Sequence, residues 1–393
     1  MSANDVVVVG VARTPCGSLL GELSAVAAPT LGAIAIKGAL TRSKVRPEAI
    51  DQVIMGCVLP AGLGQAPARQ ASRKAGIPDS VGAITINKMC GSGMQAIMQG
   101  ADAIRAGSAG IVVAGGMESM SNAPYLMPKL RTGNKYGHVT TYDHMALDGL
   151  EDAYEPGRSM GTYAEDTASQ YQLTRAMQDA YAIESLRRAK AASESGAFTD
   201  EIVAVEVPVK GGSETVASDE QPRKSKPEQI PKLRPAFRPD GTVTAASSSS
   251  ISDGAAALVI ARRDIAEKAG LPILATLVSQ GGHAQEPAWF TTAPAPAMRK
   301  ALDRAGWSAG DVELFEVNEA FAVVALAAMR DLDIAHDRLN VNGGACALGH
   351  PIGASGARIV VTLLNAMRQG NHRRGIAGIC IGGGEATAVT LEC

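Results

Sequence analysis

Two cysteines and a histidine stand beside glycine-rich turns at widely separated points of the chain. Cys90 lies in "NKMCGSGMQAI", His350 in "NGGACALGHPIGASGAR" and Cys380 in "CIGGG". A thiol can attack a carbonyl carbon or remove a proton, and an imidazole can accept the proton that a thiol releases. Neighbouring glycines leave room for a ligand and expose backbone N–H groups that can bind an oxyanion. The set predicts nucleophilic catalysis if the fold brings the three side chains together.

Cys90 taken alone supports three interpretations. Directly before a helix, its thiol would meet unpaired N–H groups and the positive end of the helix dipole, which favour the thiolate. A cysteine in such a place is nevertheless more often a packing residue. Gly91, Gly93 and Ala96 also fit the G-x-G-x-x-A pattern of a dinucleotide-binding turn, in which Glu118 would bind the ribose.

Other polar residues have both structural and chemical interpretations. Asn318 and Glu319 in "EVNEAFAVVALAAM" follow a predicted strand and would open a helix, although the asparagine could equally hold an oxyanion or a water. Cys346, Cys380 and His350 could form part of a zinc site, but no fourth ligand at suitable spacing is evident. We therefore predict no metal.

Strands and helices alternate along most of the chain. "DVVVVGVA", "QVIMGCVL", "AITIN" and "GIVVAGG" read as strands, with helices at 30–42 and 92–106, which predicts an α/β fold with a largely parallel sheet. "AGIVVAGGME" matches "AGICIGGGE", aligning Val112 with Cys380, and each follows a glycine-rich turn and a helix. The match indicates two similarly folded domains, although generic βα composition could also produce it.

Residues 121–250 differ in texture. They contain a charged helix near 174–195 and the proline-rich, basic "QPRKSKPEQIPKLRPAFRP". We interpret the segment as a large insertion between two α/β halves, with a long solvated connector as the alternative.

Composition excludes several classes of protein. The 393 residues are enough for two or more cores, and 37 basic against 39 acidic residues leave a net charge of −2. No global field therefore attracts nucleic acid or an anionic membrane. Six cysteines without CxxC pairs indicate reduced thiols, and no apolar run is long enough to span a bilayer. We expect a cytoplasmic location.

Four motifs together, "NKMCGSGMQAI", "NEAFA", "NGGACALGHPIGASGAR" and "CIGGG", resemble the thiolase family, most closely its acetoacetyl-CoA branch, over almost the whole chain. The resemblance implies a five-layer αβαβα fold with two similar mixed-sheet domains and an inserted loop domain. The implied boundaries are 1–120 with 251–270 for the N-terminal domain, 121–250 for the loop domain and 271–393 for the C-terminal domain.

The resemblance also implies roles for individual residues. Cys90 would carry the acyl group as a thioester while His350 takes up its proton, and Cys380 would remove the α-proton of acetyl-CoA. Asn318, through a water, and His350 would line one oxyanion site. The N–H groups of Cys90 and Gly382 would line the other.

The implied activity is a reversible acetyl-CoA C-acetyltransferase, with a broader 3-ketoacyl-CoA thiolase as the nearest alternative and a non-catalytic CoA-binding protein as one from another class. A ketoacyl synthase generally pairs two histidines with its cysteine, so Cys380 argues against it. An NAD-binding oxidoreductase remains the rival suggested by the glycine pattern.

For the ligand, the resemblance implies CoA thioesters as substrates, no permanently bound cofactor, and CoA contacts from four side chains: Arg223, Ser249, Met160 and Phe321. The basic residues Lys224 and Lys226 would attract phosphates or form a solvated surface. Segment 121–145 resembles the family's association loop, so a homotetramer is expected. Two departures, Ser159 in place of a frequent histidine and the serine run 247–250, bear on chain-length specificity.

Overall fold

The computed structural model describes residues 5–393, in which strands and helices alternate. The strands are β1 (Val6–Arg13), β2 (Gly17–Ser18), β3 (Gln52–Gly56), β4 (Gly82–Ile86), β5 (Ile111–Ser119), β6 (Tyr125–Leu126), β7 (Tyr142–Asp143), β8 (Val205–Val209), β9 (Gly212–Val216), β10 (Ser252–Arg262), β11 (Ala275–Ala284), β12 (Leu314–Val317), β13 (Arg374–Ile381) and β14 (Glu385–Glu392). The helices are α1 (Ala28–Ser43), α2 (Pro67–Lys74), α3 (Ser92–Arg105), α4 (Met160–Gln170), α5 (Arg175–Glu194), α6 (Glu220–Lys224), α7 (Arg263–Lys268), α8 (Pro294–Ala305), α9 (Ala322–Leu332), α10 (Ala345–Leu348) and α11 (Ile352–Gln369).

The main sheet has two halves of matching order. In the first, β4, β3 and β5 are parallel neighbours, and β10 and then β1 follow antiparallel. In the second, β12 and β13 are parallel, and β14 and then β11 follow antiparallel. A short pairing of β1 with β11, Val7 with Thr276 and Val8 with Ala275, joins the halves into one path of nine strands, and β2 pairs with β10 as the tenth strand of the sheet.

Both halves run through their elements in the same order. A strand and a helix open each half, and a further helix, α3 or α11, leads into the strand that carries the repeated sequence. The predicted repeat is therefore real, but its alignment of Val112 with Cys380 is wrong. Val112 faces the apolar layer between the two half-sheets, whereas Cys380 faces the helices outside the second half.

Three apolar clusters separate five layers. The first lies between α1, α2 and the first half-sheet, and the third lies between the second half-sheet and α8 and α9. The middle cluster contains α3 and α11 together with residues from both half-sheets. Because strands buried on both faces need apolar residues at every position, the unbroken "VVVV" of β1 fits this place.

The segment between β5 and β10 forms structure of its own. It carries α4, α5 and α6 and the strand pairs β6–β7 and β8–β9, and its helices pack against α9 and α10 of the second half. Buried charges also tie it to β1: Arg13 Nε lies 2.6 Å from Glu201 Oε1, and the Arg13 guanidinium forms two bonds of 2.7 and 2.9 Å to the Asp219 carboxylate. We call these three residues the Arg13 cluster.

Across residues 5–393, no helix has both the length and the apolar character needed to cross a membrane.

Candidate active site

The two central helices meet at their first turns. A Cβ added to Gly93 of α3 would lie 2.7 Å from the Ala357 nitrogen of α11, and one added to Gly356 would lie 2.5 Å from the Met94 nitrogen. Such approach leaves no room for side chains, so glycine is required on both helices. Cys90 and His350 each stand two residues before the start of these helices. The crossing therefore carries both residues to the junction of the two halves.

The turn that holds Cys90 is tightly tied. Met89 has a φ of 45°, an unusual value for a residue with a side chain. The Ser92 hydroxyl accepts from the Lys88 N–H at 2.8 Å and donates to the Met89 carbonyl at 2.6 Å. A Cβ on Gly91 would lie 2.4 Å from the side chain of Ile381, the residue after Cys380. The Cys90 turn thus rests against the end of β13.

Cys90 and Cys380 act on each other electrostatically. Burial raises the pKa of the Cys90 thiol to about 11, although N–H groups of Gly382 and of Cys90 itself donate to the sulfur and oppose the rise. Burial, and then the charge of a Cys90 thiolate, raise the pKa of Cys380 well above its usual range. The N–H group of Cys90, at the helix start, does favour a thiolate, as expected, but burial outweighs it. A resting thiol needs a base.

His350 is buried and neutral. Its backbone N–H donates to the Ser250 carbonyl at 3.0 Å, and its Nδ1 lies 2.5 Å from the Ser355 hydroxyl. Nε2 has no hydrogen-bond partner among the described residues, 5–393. Burial, followed by the positive charge of Arg358, lowers the pKa of His350 to about 3. A neutral imidazole with one free nitrogen can accept a proton.

Asn318 places a complete amide in the interior. The residue is 0% exposed, and neither its Oδ1 nor its Nδ2 has a hydrogen-bond partner in the part of the chain that the structure describes. Its backbone N–H donates to the Gly378 carbonyl at 3.0 Å, two residues before Cys380 on β13. A buried amide without partners is costly in a core. It is therefore suited to a ligand.

The predicted role of Asn318 and Glu319 as the start of a helix is wrong, since α9 begins only at Ala322. Glu319 is instead a buried acceptor for four donors. They are the Tyr181 hydroxyl at 2.8 Å, the Ser185 hydroxyl at 2.8 Å, the Asn340 Nδ2 at 2.9 Å and the Cys346 N–H at 3.0 Å. The carboxylate holds the loop before His350 in place.

The serine run 247–250 joins the loop of Asn318 to the turn of His350. The Ser249 N–H donates to the Ala320 carbonyl at 2.9 Å, and the Ala322 N–H donates to the Ser247 carbonyl at 2.8 Å. Since the next residue, Ser250, accepts from the His350 N–H, Ser249 lies between two segments that carry site residues.

Met160 and Phe321 belong to the apolar cluster that contains Cys380. A Cβ on Gly382 would lie 3.5 Å from the Met160 sulfur, and Phe321 packs edge-to-face on Phe237 with ring centroids 5.8 Å apart. Ser159 is the N-cap residue of α4, directly before Met160, and its side chain forms no capping bond. These residues form an apolar wall beside the Cys380 strand.

Arg223 lies apart from this group, at a cavity of about 560 Å³ between residues 21–25 and the β8–β9 hairpin. Its side chain is 45% exposed, and its guanidinium pairs with Glu22 and donates through Nε to the Asp219 carbonyl at 3.3 Å. Lys224 pairs with Glu220 at 2.5 Å. Acidic neighbours thus offset part of the basic cluster.

Glu118 is enclosed and has no access to a ribose. It is 0% exposed and accepts from the N–H groups of Val58 at 2.9 Å, Leu59 at 3.1 Å and Gly353 at 2.9 Å. Burial raises its pKa to about 7. The dinucleotide interpretation of Gly91, Gly93 and Ala96 is wrong, because Glu118, which would bind the ribose, is occupied by hydrogen bonds from backbone N–H groups.

Within residues 5–393, no group of three or more His, Cys, Asp or Glu side chains is placed to hold a metal ion. Cys346, considered as a zinc ligand, donates instead to the Glu319 carbonyl at 3.7 Å. Sequence reasoning also missed two residues of α11 that act on His350, namely Ser355 and Arg358. Both lie in or beside the quoted "GHPIGASGAR", five and eight residues after the histidine, a spacing that signals contact only once the helix start is known.

Comparison with known proteins agrees with this geometry. Residues 6–264 match the family model "Thiolase, N-terminal domain" and residues 271–393 match "Thiolase, C-terminal domain". The chain belongs to the thiolase family. Its fold is accordingly the expected α/β arrangement, but the prediction of a largely parallel sheet is wrong, because β1, β10, β11 and β14 pair antiparallel with their neighbours. The motifs that indicated the family lie at the junction of the two halves.

Among curated thiolase relatives, "Acetyl-CoA acetyltransferase 2" of Arabidopsis thaliana is 50% identical over 100% of this chain and 98% of its own length. "Acetyl-CoA acetyltransferase" of Pseudomonas aeruginosa is 49% identical, covering 98% of this chain and 99% of the relative. That of Cupriavidus necator is 47% identical, covering 99% of each. The likeness extends over whole chains.

Proposed function

We propose that this thiolase is an acetyl-CoA C-acetyltransferase, which converts two acetyl-CoA reversibly into acetoacetyl-CoA and CoA. The observation that carries the proposal is the meeting of two thiols, Cys90 and Cys380, beside the Gly382 N–H. The unpartnered atoms of His350 and Asn318 add a base and an amide. The names of the full-length relatives support the substrate.

In the first step the Cys90 sulfur attacks the carbonyl carbon of acetyl-CoA and gives its proton to His350 Nε2. The oxyanion forms beside the N–H groups of Cys90 and Gly382, which are fixed before the reaction. The bond from carbon to the CoA sulfur then breaks, and the departing thiolate takes the proton from His350. The products are acetyl-Cys90 and CoA.

In the second step Cys380 transfers its proton to His350 and then removes the α-proton of a second acetyl-CoA. The resulting enolate, with its oxygen held by Asn318 through a water and by His350, attacks acetyl-Cys90. A carbon–carbon bond forms, the Cys90 thiolate departs and regains a proton from His350. Because the α-proton of a thioester is weakly acidic, a thiolate and an oxyanion site are needed together.

For CoA itself, the proposal assigns Arg223 to the nucleotide end, Ser249 to the pantetheine, and Met160 and Phe321 to apolar walls. No resident cofactor or metal takes part. The exposed apolar side chains of segment 121–145, including Tyr125, Leu130 and Tyr136, support assembly into a homotetramer. We place the enzyme in the cytoplasm.

The test is acylation followed by turnover. Purified protein mixed with acetyl-CoA should release a burst of CoA, and mass spectrometry of peptides should place the acetyl group on Cys90. Cys90→Ala should lose both the burst and thiolysis of acetoacetyl-CoA. Cys380→Ala should keep the burst but form no acetoacetyl-CoA. If the protein binds CoA but forms no acetyl adduct on Cys90, the proposed mechanism is wrong.

A series of 3-ketoacyl-CoA substrates separates the proposal from a broader 3-ketoacyl-CoA thiolase. We expect kcat/KM to fall steeply beyond the four-carbon substrate. Comparable values for six-carbon and longer chains would favour the broader enzyme, and Ser159 and residues 247–250 would be the first positions to exchange.

A further inference from the structure

Among residues 5–393, Ser355 is the one side chain that forms a hydrogen bond with the ring of His350. It lies in the first turn of α11, is 0% exposed, and its hydroxyl oxygen is 2.9 Å from the Pro351 carbonyl as well as 2.5 Å from His350 Nδ1. A serine hydroxyl has one proton to donate, and a carbonyl can only accept. The partners therefore decide where the protons lie.

If the Ser355 proton points to the Pro351 carbonyl, the serine oxygen must accept from His350, and Nδ1 carries the ring proton. Nε2 is then an acceptor without a hydrogen-bond partner from Asp5 to Cys393. In the opposite arrangement Nε2 would be a buried donor without a partner and the Pro351 carbonyl would lose a bond. Buried orphan donors are rarer than buried orphan acceptors, so the first arrangement is favoured.

We propose that Ser355 is a positioning residue that fixes His350 in the Nδ1–H tautomer and so presents the Nε2 lone pair to the thiols. The inference rests on the proposed function, in which Nε2 accepts the proton of Cys90. The arrangement costs nothing during the reaction, because the bond from His350 to Ser355 exists before substrate binds.

The position of Ser355 is enforced by packing. One residue on, Gly356 touches the backbone of α3 at Met94, and two residues before, the Gly353 N–H is held by the Glu118 carboxylate at 2.9 Å. The first turn of α11 therefore cannot rotate freely. His350 is tied from the other side by the Ser250 carbonyl. Both ends of the bond from His350 Nδ1 to Ser355 are thus immobilised.

The direct test is nitrogen-15 NMR of protein labelled at histidine, because the two ring nitrogens give distinct shifts in each tautomer. The chain has six histidines, and the His350 signals are those that vanish in His350→Asn. Wild-type protein should show a protonated Nδ1 and an unprotonated Nε2 from about pH 5 to 8. An Nε2–H signal in the wild type would overturn the proposal.

Ser355→Ala should allow both tautomers and slow the burst of CoA release about 10- to 100-fold, with KM nearly unchanged. The loss is smaller than the roughly 100- to 10,000-fold that a positioned base contributes, because the base itself remains. Ser355→Thr keeps the hydroxyl and should restore both the tautomer and most of the burst. Ser43→Ala is the matched control, since Ser43 is also 0% exposed and donates to a helix carbonyl, Leu40, at 2.9 Å. It should lose stability without changing the burst.

The outcomes separate the two proposals. If the wild-type protein shows the Nδ1–H tautomer but forms no acetyl-Cys90, the contact between Ser355 and His350 stands and the proposed function is wrong. If Cys90 is acetylated equally fast in the wild type and in Ser355→Ala, the proposed role of Ser355 is wrong and the proposed function stands. Should Ser355→Ala fail to fold, the wild-type spectrum still decides the tautomer.

Discussion

At the scale of single residues, the site is defined by groups left without partners. His350 Nε2 and both amide atoms of Asn318 are buried and have no hydrogen-bond partner within the described part of the chain, while the nearby carboxylates of Glu118 and Glu319 each accept several hydrogen bonds. Leaving the reacting groups without hydrogen bonds lowers the stability of the fold, whereas the supporting carboxylates have their hydrogen bonds satisfied.

The neutral state of His350 has a consequence for stability. Its pKa is about 3 in the folded protein, against roughly 6.5 in an unfolded chain. Between these values the unfolded chain binds more protons, so the free energy of unfolding rises with pH up to about 6.5 and falls as the pH is lowered. On lowering the pH from 7 to 5, His350 should cost on the order of 2 kcal/mol.

His350→Asn should therefore lose less stability than the wild type over this pH change. Urea unfolding at pH 7 and pH 5, at one protein concentration, measures the difference. His138→Asn, a change at an exposed histidine, is the control and should lose as much as the wild type. Equal losses in all three proteins would contradict a buried neutral His350.

Glu118 makes a second prediction at this scale. In Glu118→Gln, one acceptor oxygen becomes an NH2 group that must face a backbone N–H of Val58, Leu59 or Gly353. An unsatisfied buried donor costs about 1–3 kcal/mol, so urea unfolding should show the free energy of unfolding reduced by that amount. The acylation burst should also be slower, because Gly353 lies in the first turn of α11, just after His350. Glu206→Gln, at an exposed carboxylate of the β8–β9 hairpin, should leave the midpoint unchanged.

At the scale of elements, the crossing of α3 and α11 decides the site. Neither helix supplies the reacting atoms from its interior; each places them just before its first turn. The strand β13 and the loop after β12 then bring Cys380 and Asn318 to the same point, since their backbones are bonded at Asn318 and Gly378.

Gly93→Ala and Gly356→Ala should each force the two helices apart. Overpacking of this kind costs about 1–3 kcal/mol, and the acylation burst should fall more than stability alone explains, because Cys90 and His350 separate. Gly282→Ala is the control, as a Cβ there meets nothing within 4 Å. Thermal unfolding and burst kinetics on the three variants test this, and an unchanged burst would count against the role of the crossing.

Much of this level was predictable from sequence. The strands around "VVVV" and "GIVVAGG", the helix after Cys90 and the repeat all follow from local pattern, and the order of motifs indicated the family. The pattern could not give the register of the repeat, because matching letters do not reveal which face of a strand is outward. Nor could it show that Glu118 and Glu319 bind backbone and loop groups, since those contacts join residues distant in sequence.

At the scale of the whole molecule, the inserted segment is fastened by buried charge. The Arg13 cluster joins β1 to Glu201 and Asp219, and Asp219 also accepts from Arg223. Removing Arg13 would leave the carboxylates of Glu201 and Asp219 buried without a positive partner, which typically costs several kcal/mol. The position of Arg223, and hence of the proposed nucleotide contact, depends on the same group.

Arg13→Met should lower the free energy of unfolding by about 3–5 kcal/mol and weaken CoA binding, because the loop of Arg223 loses its anchor. Urea unfolding and calorimetric titration with CoA are the measurements. Arg262→Met, which breaks a surface pair with Asp264, should change neither quantity measurably. Normal CoA affinity in Arg13→Met would show that the loop is held in another way.

The middle apolar layer has one more consequence. It draws side chains from both half-sheets around α3 and α11, while the half-sheets themselves share only the short β1–β11 pairing. Two family models divide the chain near residue 270, yet both halves are needed to build the middle layer. If the chain is cut at that boundary, the halves should be insoluble when produced separately and soluble when produced together. The unit that folds cooperatively would then be the whole chain, which is larger than either family model.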